Sequence, residues 1–146
     1  MRRNIFAIAA ITALLAGAVA IGLAQIERFA PADDVTLYLI SPHHGEVIEG
    51  PVLVRFGLRG MGVAPAGVEQ PNTGHHHLLI NLPLDEVDLD MPLPFTDQTR
   101  HLGGGQTEVV LELEPGTYTL QALLADFRHI PFDPTVVSEV ITIHVR

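Results

Sequence analysis

From residue 35 to its end the chain repeats one pattern, short runs of alternating apolar residues closed by Gly, Pro or Asp. A period of two sends successive side chains to opposite faces of an extended strand, and no run shows the 3.6-residue period of a helix. The runs are 35–40 (VTLYLI), 52–58 (VLVRFGL), 107–113 (TEVVLEL), 118–124 (YTLQALL) and 137–145 (VSEVITIHV). Strands of this kind must bury one face against a second layer, so the chain is all-β.

Residues 75–82 (HHHLLINL) are short and continuously apolar after the histidines, which predicts a central strand. Glu114-Pro115-Gly116-Thr117 places Pro before Gly as a type II turn requires, and predicts a hairpin between 107–113 and 118–124. A structureless connection from Pro83 to Gln106 would be unusually long for a compact domain. A further strand is therefore expected at 98–102 (QTRHL), joined by Gly103-Gly104-Gly105 to the next. The total is about seven strands, the number of an immunoglobulin-like antiparallel β-sandwich.

Ahead of the strands stands Met1-Arg2-Arg3 and then 5–24 (IFAIAAITALLAGAVAIGLA), apolar throughout. That length serves either a signal peptide or an uncleaved membrane-anchor helix, with the arginines on the cytoplasmic side. The expected organisation is 1–24 as leader or anchor, 25–34 as linker and 35–146 as one exported domain, periplasmic or otherwise extracytoplasmic. The membrane is touched only through the N-terminal segment.

Charge and composition exclude several functions. There is no Lys, and once Arg2 and Arg3 are set aside six arginines face 17 acidic residues, a net charge of −11. Such a surface repels phosphate backbones, so no nucleic-acid partner is expected, while cations are attracted. With no Cys, thiolate chemistry and blue-copper ligation are closed. With no Trp and two Tyr, the stacking platforms of most sugar-binding modules are missing.

What the chain has in excess is histidine, at positions 43, 44, 75, 76, 77, 101, 129 and 144. If successive strands reverse direction, His75–His77, His101 and His129 fall at one end of the sandwich and His43, His44 and His144 at the other. In a strand, His75 and His77 share a face with Cα atoms about 7 Å apart, and His76 points to the opposite face. Two imidazoles can swing from that separation onto one ion. The candidate metal ligands are therefore His75, His77, His101 and His129, with Asp126 or Asp133 as an oxygen ligand or as a partner orienting an imidazole. Nitrogen-only ligation suits copper or zinc. Binding requires neutral imidazole and is expected to weaken as pH falls through about 6.5.

The phrases GLRGMGVAPAGVEQPNTGHHHLLI, HLGGGQTE and LADFRHIPFDPTVVSE resemble an exported bacterial family, domain-of-unknown-function family 4399. The resemblance covers about 35–145. It implies no chemistry and places the family's motif histidines on His75, His76, His77, His101 and His129. His43-His44 departs from its pattern at the first turn.

Other features carry less. The triple glycine lacks the strand-to-helix setting of a nucleotide site, and Asp85, Glu86, Asp88 and Asp90 lack the glycine and terminal Glu of a calcium loop. Met61 and Met91 fit loop packing better than copper(I) ligation. No Ser or Thr stands in a catalytic triad pattern, so no catalytic residue is assigned. The reading is an extracytoplasmic domain binding a divalent metal for buffering, delivery or sensing. A rival is a non-catalytic envelope module in which the histidines only order loops, with a protein partner on the loop from Arg59 to Gly74. A superoxide-dismutase-like copper enzyme has only the His-x-His pair in its favour.

Overall fold

The structure, a computed structural model, describes residues 26–146, so the leader or anchor segment lies outside the described residues. The strands are β1 (Thr36–Ser41), β2 (Val47–Ile48), β3 (Val52–Arg59), β4 (Gly62–Val63), β5 (Thr73–Ile80), β6 (Thr99–His101), β7 (Glu108–Leu111), β8 (Gly116–Ala125) and β9 (Ile141–Val145). Among the described residues there is no α-helix, only a 3-10 turn at Leu84–Glu86, and hence no helix long and apolar enough to cross a membrane.

Two sheets form. One has the order β1-β3-β7; in the other, β2, β9, β8, β5 and β4 follow one another, and β6 also pairs with β5. All pairings are antiparallel except β2 with β9 and β4 with β5. Between the sheets lies one core. Val52, Val54 and Phe56 of β3 meet Leu78 and Ile80 of β5, Leu120, Ala122 and Leu124 of β8, and Ile143 of β9. Each fully buried aliphatic side chain there contributes about 1.5–3 kcal/mol. The result is a β-sandwich built from the alternation visible in the sequence.

The strand expected at 98–102 exists as β6, paired through His77↔His101, Leu78↔Arg100 and Leu79↔Thr99. The expected hairpin does not. β7 pairs with β3, whereas β8 pairs with β5 and β9, so the segment between them crosses from one sheet to the other. Gly116 begins β8 and is not among the positive-φ glycines, so the type II turn predicted there is absent.

β5 is buried on both faces, which explains its unbroken apolar run. Its inner face packs into the main core. Its outer face is covered by the connection between β5 and β6, which lays Leu82, Leu84, Val87 and Leu93 on Leu79, Leu123 and Ala125 to make a second small core. The sheet thus has a dry outer side, and this is where His75 and His77 emerge.

Candidate metal centre

Gly74 opens the site. A Cβ there would stand 2.6 Å from the Ala125 carbonyl oxygen and 3.0 Å from Leu124, so only glycine lets β5 approach β8 this closely. The register then fixes the next residues, His75 opposite Ala125 and His77 opposite Leu123, both facing outward. Across the other edge of β5, His101 stands directly opposite His77 and shares its face. His101 in turn lies against Gly103, where any Cβ would collide with the imidazole.

The fourth imidazole comes from the connection after β8. His129 sits in a turn closed by its own N–H donating to the Asp126 carbonyl (2.9 Å) and by the Asp126 N–H donating to the Ile130 carbonyl (2.9 Å). Its φ of 71° is in the left-handed region, which costs a non-glycine residue about 1–2 kcal/mol and persists only where the surroundings impose it. Four rings gather as a result. Ring centroids are 4.7 Å apart for His75 and His77, 5.0 Å for His75 and His101, 4.9 Å for His75 and His129, and 4.7 Å for His101 and His129.

Each of His75, His77 and His101 can offer a ring nitrogen such that the three lie within 4.8 Å of one another. Donors about 2.0–2.1 Å from a tetrahedral ion stand about 3.3 Å apart, so side-chain rotation of about an ångström closes the shell. His75 and His77 are fully buried, and none of their four ring nitrogens has a hydrogen-bond partner among the described residues; Nε2 of His101 is likewise unpaired there. Three histidines close together here could hold a metal ion.

A model of the family described as "Domain of unknown function (DUF4399)" matches residues 54–146. The chain belongs to the DUF4399 family. The matched span includes β5, β6 and the turn carrying His129, and so every member of the histidine cluster. No curated protein matches the chain. Among solved structures, an endo-beta-1,4-mannanase from Thermotoga petrophila is similar at 19% identity and a TM-score of 0.45, over 77% of this chain and 20% of that one. The DUF4399 chain thus spans about a fifth of that enzyme's length.

Burial and mutual repulsion favour the neutral form of His75, His77 and His101. Burial, followed by the neighbouring imidazoles of His129 and His101, lowers the His75 pKa to about 4, against a smaller opposing effect of the Asp126 carboxylate. Burial and then the imidazoles of His75, His101 and His129 lower His77 to about 2. His101 is lowered too, by burial and by His129. The ordinary imidazole range expected from sequence therefore does not apply to the buried pair, which stays unprotonated well below pH 6.5.

The two aspartates singled out beside the histidines are placed differently. The Asp126 carboxylate accepts hydrogen bonds from Arg128 Nε (2.9 Å) and Nη2 (2.7 Å) and from the backbone N–H groups of Arg128 (2.7 Å) and Ile130 (3.1 Å). It shapes the turn that carries His129. Asp133 is exposed and lines a hollow with Ile26, Glu27, Arg28 and Asp90. Neither is gathered with the three histidines.

His76 points into the main core, fully buried and stacked on Phe56 with centroids 4.8 Å apart. His44 accepts from the Thr142 N–H through Nδ1 near the start of β9, and His144 Nδ1 meets Thr117 Oγ1 at 3.0 Å near its end; neither joins the cluster. One participant was missed from sequence. The Phe95 ring lies 4.7 Å from the ring of His101 and 5.4 Å from that of His129, and is 66% exposed, so it stands on the solvent side of the cluster. A lone aromatic in an acidic, proline-rich connection was the only signal available.

Proposed function

We propose that this domain binds one divalent metal ion through His75, His77, His101 and His129, and that the ion is copper(II) or zinc. The observation that carries the reading is the set of ring nitrogens from β5 and β6, within 4.8 Å of one another, buried and without partners. A buried polar group without a partner costs about 1–3 kcal/mol, and an ion accepting the lone pairs offsets several such costs together. The donor set is nitrogen only, because Asp126 is held by Arg128. That supports ions that take imidazole readily over those that require oxygen.

The accompanying fold reading is immunoglobulin-like, supported by the partition of β1, β3 and β7 against β9, β8, β5 and β6. The apolar leader supports export or anchoring, which puts the ion in an extracytoplasmic compartment and makes buffering, delivery or sensing its use.

The test is calorimetric titration of the metal-stripped full-length protein, in mild detergent, with Cu(II) and with Zn(II), repeated on the His77→Ala variant. Micromolar or tighter binding to one site, lost in H77A, is the expected result. No heat in the wild-type protein would favour the other reading, an interaction module. One observation supports the partner surface of that rival, though not an ordering role for the histidines. The loop from Arg59 to Gly74 is already ordered by Ala66 N–H bonding to Gly103 O (2.8 Å) and Gly67 N–H to Phe127 O (2.9 Å), and it presents Val68 half exposed.

A further inference from the structure

We infer that residues 26–30 form a strap that sets the position of His129, with Arg28 as its positioning residue, so that strap docking and ion binding reinforce each other. The inference rests on the metal reading above. It starts from a geometric problem: His129 is the one proposed ligand that comes from a loop, and its backbone is held in the left-handed region at φ 71°. Something outside the turn must hold it there.

The strap grips the chain on both sides of that residue. Arg28, its side chain 13% exposed, donates from Nε to the Pro131 carbonyl (3.0 Å) and from Nη2 to Thr135 Oγ1 (2.8 Å) and the Phe132 carbonyl. Asp133 N–H donates to the Phe29 carbonyl (2.9 Å). On the other side Arg128 donates to the Glu27 carbonyl (3.0 Å), and its guanidinium lies 4.3 Å over the Phe29 ring. Arg28 also reaches Asp90 at 3.6 Å, an exposed pairing that adds little by itself. It nevertheless brings the strap against the connection whose Leu93 N–H bonds the His129 carbonyl at 2.9 Å.

The planar guanidinium is what lets one residue satisfy three acceptors along 131–135, so the grip is specific to Arg. A released strap leaves His129 free to abandon the strained conformation, and an ion that holds His129 in place stabilises the strap by the same factor.

The measurement uses the full-length chain in mild detergent, with Cu(II) as probe, comparing wild type, Arg28→Ala, His129→Ala and the double variant. R28A should weaken Cu(II) about tenfold and reduce the nitrogen hyperfine pattern in the electron paramagnetic spectrum as H129A does. The double variant should bind no more weakly than H129A alone. Equal affinities of R28A and wild type, or losses from R28A and H129A that add, overturn the strap and leave the metal reading standing. A wild type that takes no ion overturns both. Should R28A not fold, hydrogen exchange of the wild type decides: slower exchange across 126–135 on adding Cu(II) supports the coupling, and unchanged exchange at the Asp133 amide overturns it.

Discussion

Replacing His76 by leucine should stabilise the metal-free protein, although it removes a fully buried residue from the centre of β5. The imidazole is 0% exposed, its two ring nitrogens have no hydrogen-bond partner among the described residues, and its contact with Phe56 is a parallel stack. An unsatisfied buried donor or acceptor costs about 1–3 kcal/mol, so the two together cost about 2–6 kcal/mol. Losing the aromatic pair returns about 0.5–1.5 kcal/mol of that. A net gain of about 3 kcal/mol is the central value, read as a rise of about 9–15 °C in Tm for a domain of this size. The gain must also grow on acidification. Burial lowers the His76 pKa from 6.5 to about 4, so between those values the unfolded chain takes up a proton that the folded protein refuses. His76 therefore contributes a loss of stability that begins as pH falls below 6.5 and levels off near 4. Leucine has no such loss, and the gap between variant and wild type widens by about 2 kcal/mol from pH 7.5 to pH 5. Urea unfolding followed by circular dichroism at both pH values, with chelator present, measures it. A variant less stable than wild type at pH 7.5, or a gap that does not change with pH, refutes the reasoning.

Gly103→Ala places a Cβ where the His101 imidazole lies, and the ring must move; Cu(II) or Zn(II) affinity is expected to fall about tenfold by calorimetry while Tm changes by only a few degrees. Gly74→Ala meets backbone rather than a movable side chain, 2.6 Å from the Ala125 oxygen, so β5 and β8 must part. A destabilisation of about 2 kcal/mol or more in urea unfolding is expected, on the order of other large strain effects. Phe95→Ala removes a ring that is 66% exposed, so stability should shift by less than about 0.5 kcal/mol. Ion transfer to a chelator in stopped flow should nevertheless become about tenfold faster, because the solvent side of His101 and His129 is uncovered.

The sandwich was legible because its strands have one buried face, and alternation is the direct imprint of that condition. β5 was legible for the opposite reason, a continuous apolar run with no period. The hairpin was misread because a Pro-Gly pair between two alternating runs suits a sheet-to-sheet crossing as well as a tight turn. The partner of β7 is chosen at a distance, by the pairing of Val109 and Val110 with Val54 and Leu53. The cover over the outer face was hidden in Leu82, Leu84, Val87 and Leu93, whose spacing follows no strand or helix period. Bringing His75, His77, His101 and His129 to one end depended on the inferred strand at 98–102 as well as on strand direction. The employment of Asp126 by Arg128 was not legible, since nothing in the sequence distinguishes a carboxylate that builds a turn from one that faces a ring.

The bonding of Asp126 to Arg128 bears on what the histidine cluster is. A buried polar network that exists to rigidify a fold is one in which every donor finds an acceptor. Here the carboxylate near enough to oppose the shift on His75 is bonded to Arg128, and the ring nitrogens of His75 and His77 find no partner among the described residues. The same strand shows what a histidine with no common centre does. His76, one residue away and equally buried, stacks on Phe56 as any aromatic residue could. Alternation thus sets a control beside the site. If His76→Leu stabilises the protein and leaves ion binding intact, while His77→Leu stabilises it comparably and abolishes binding, then the outward histidines are retained at a cost to the fold. What separates them from His76 is then the loss of binding, because His76 carries a comparable cost with no ion.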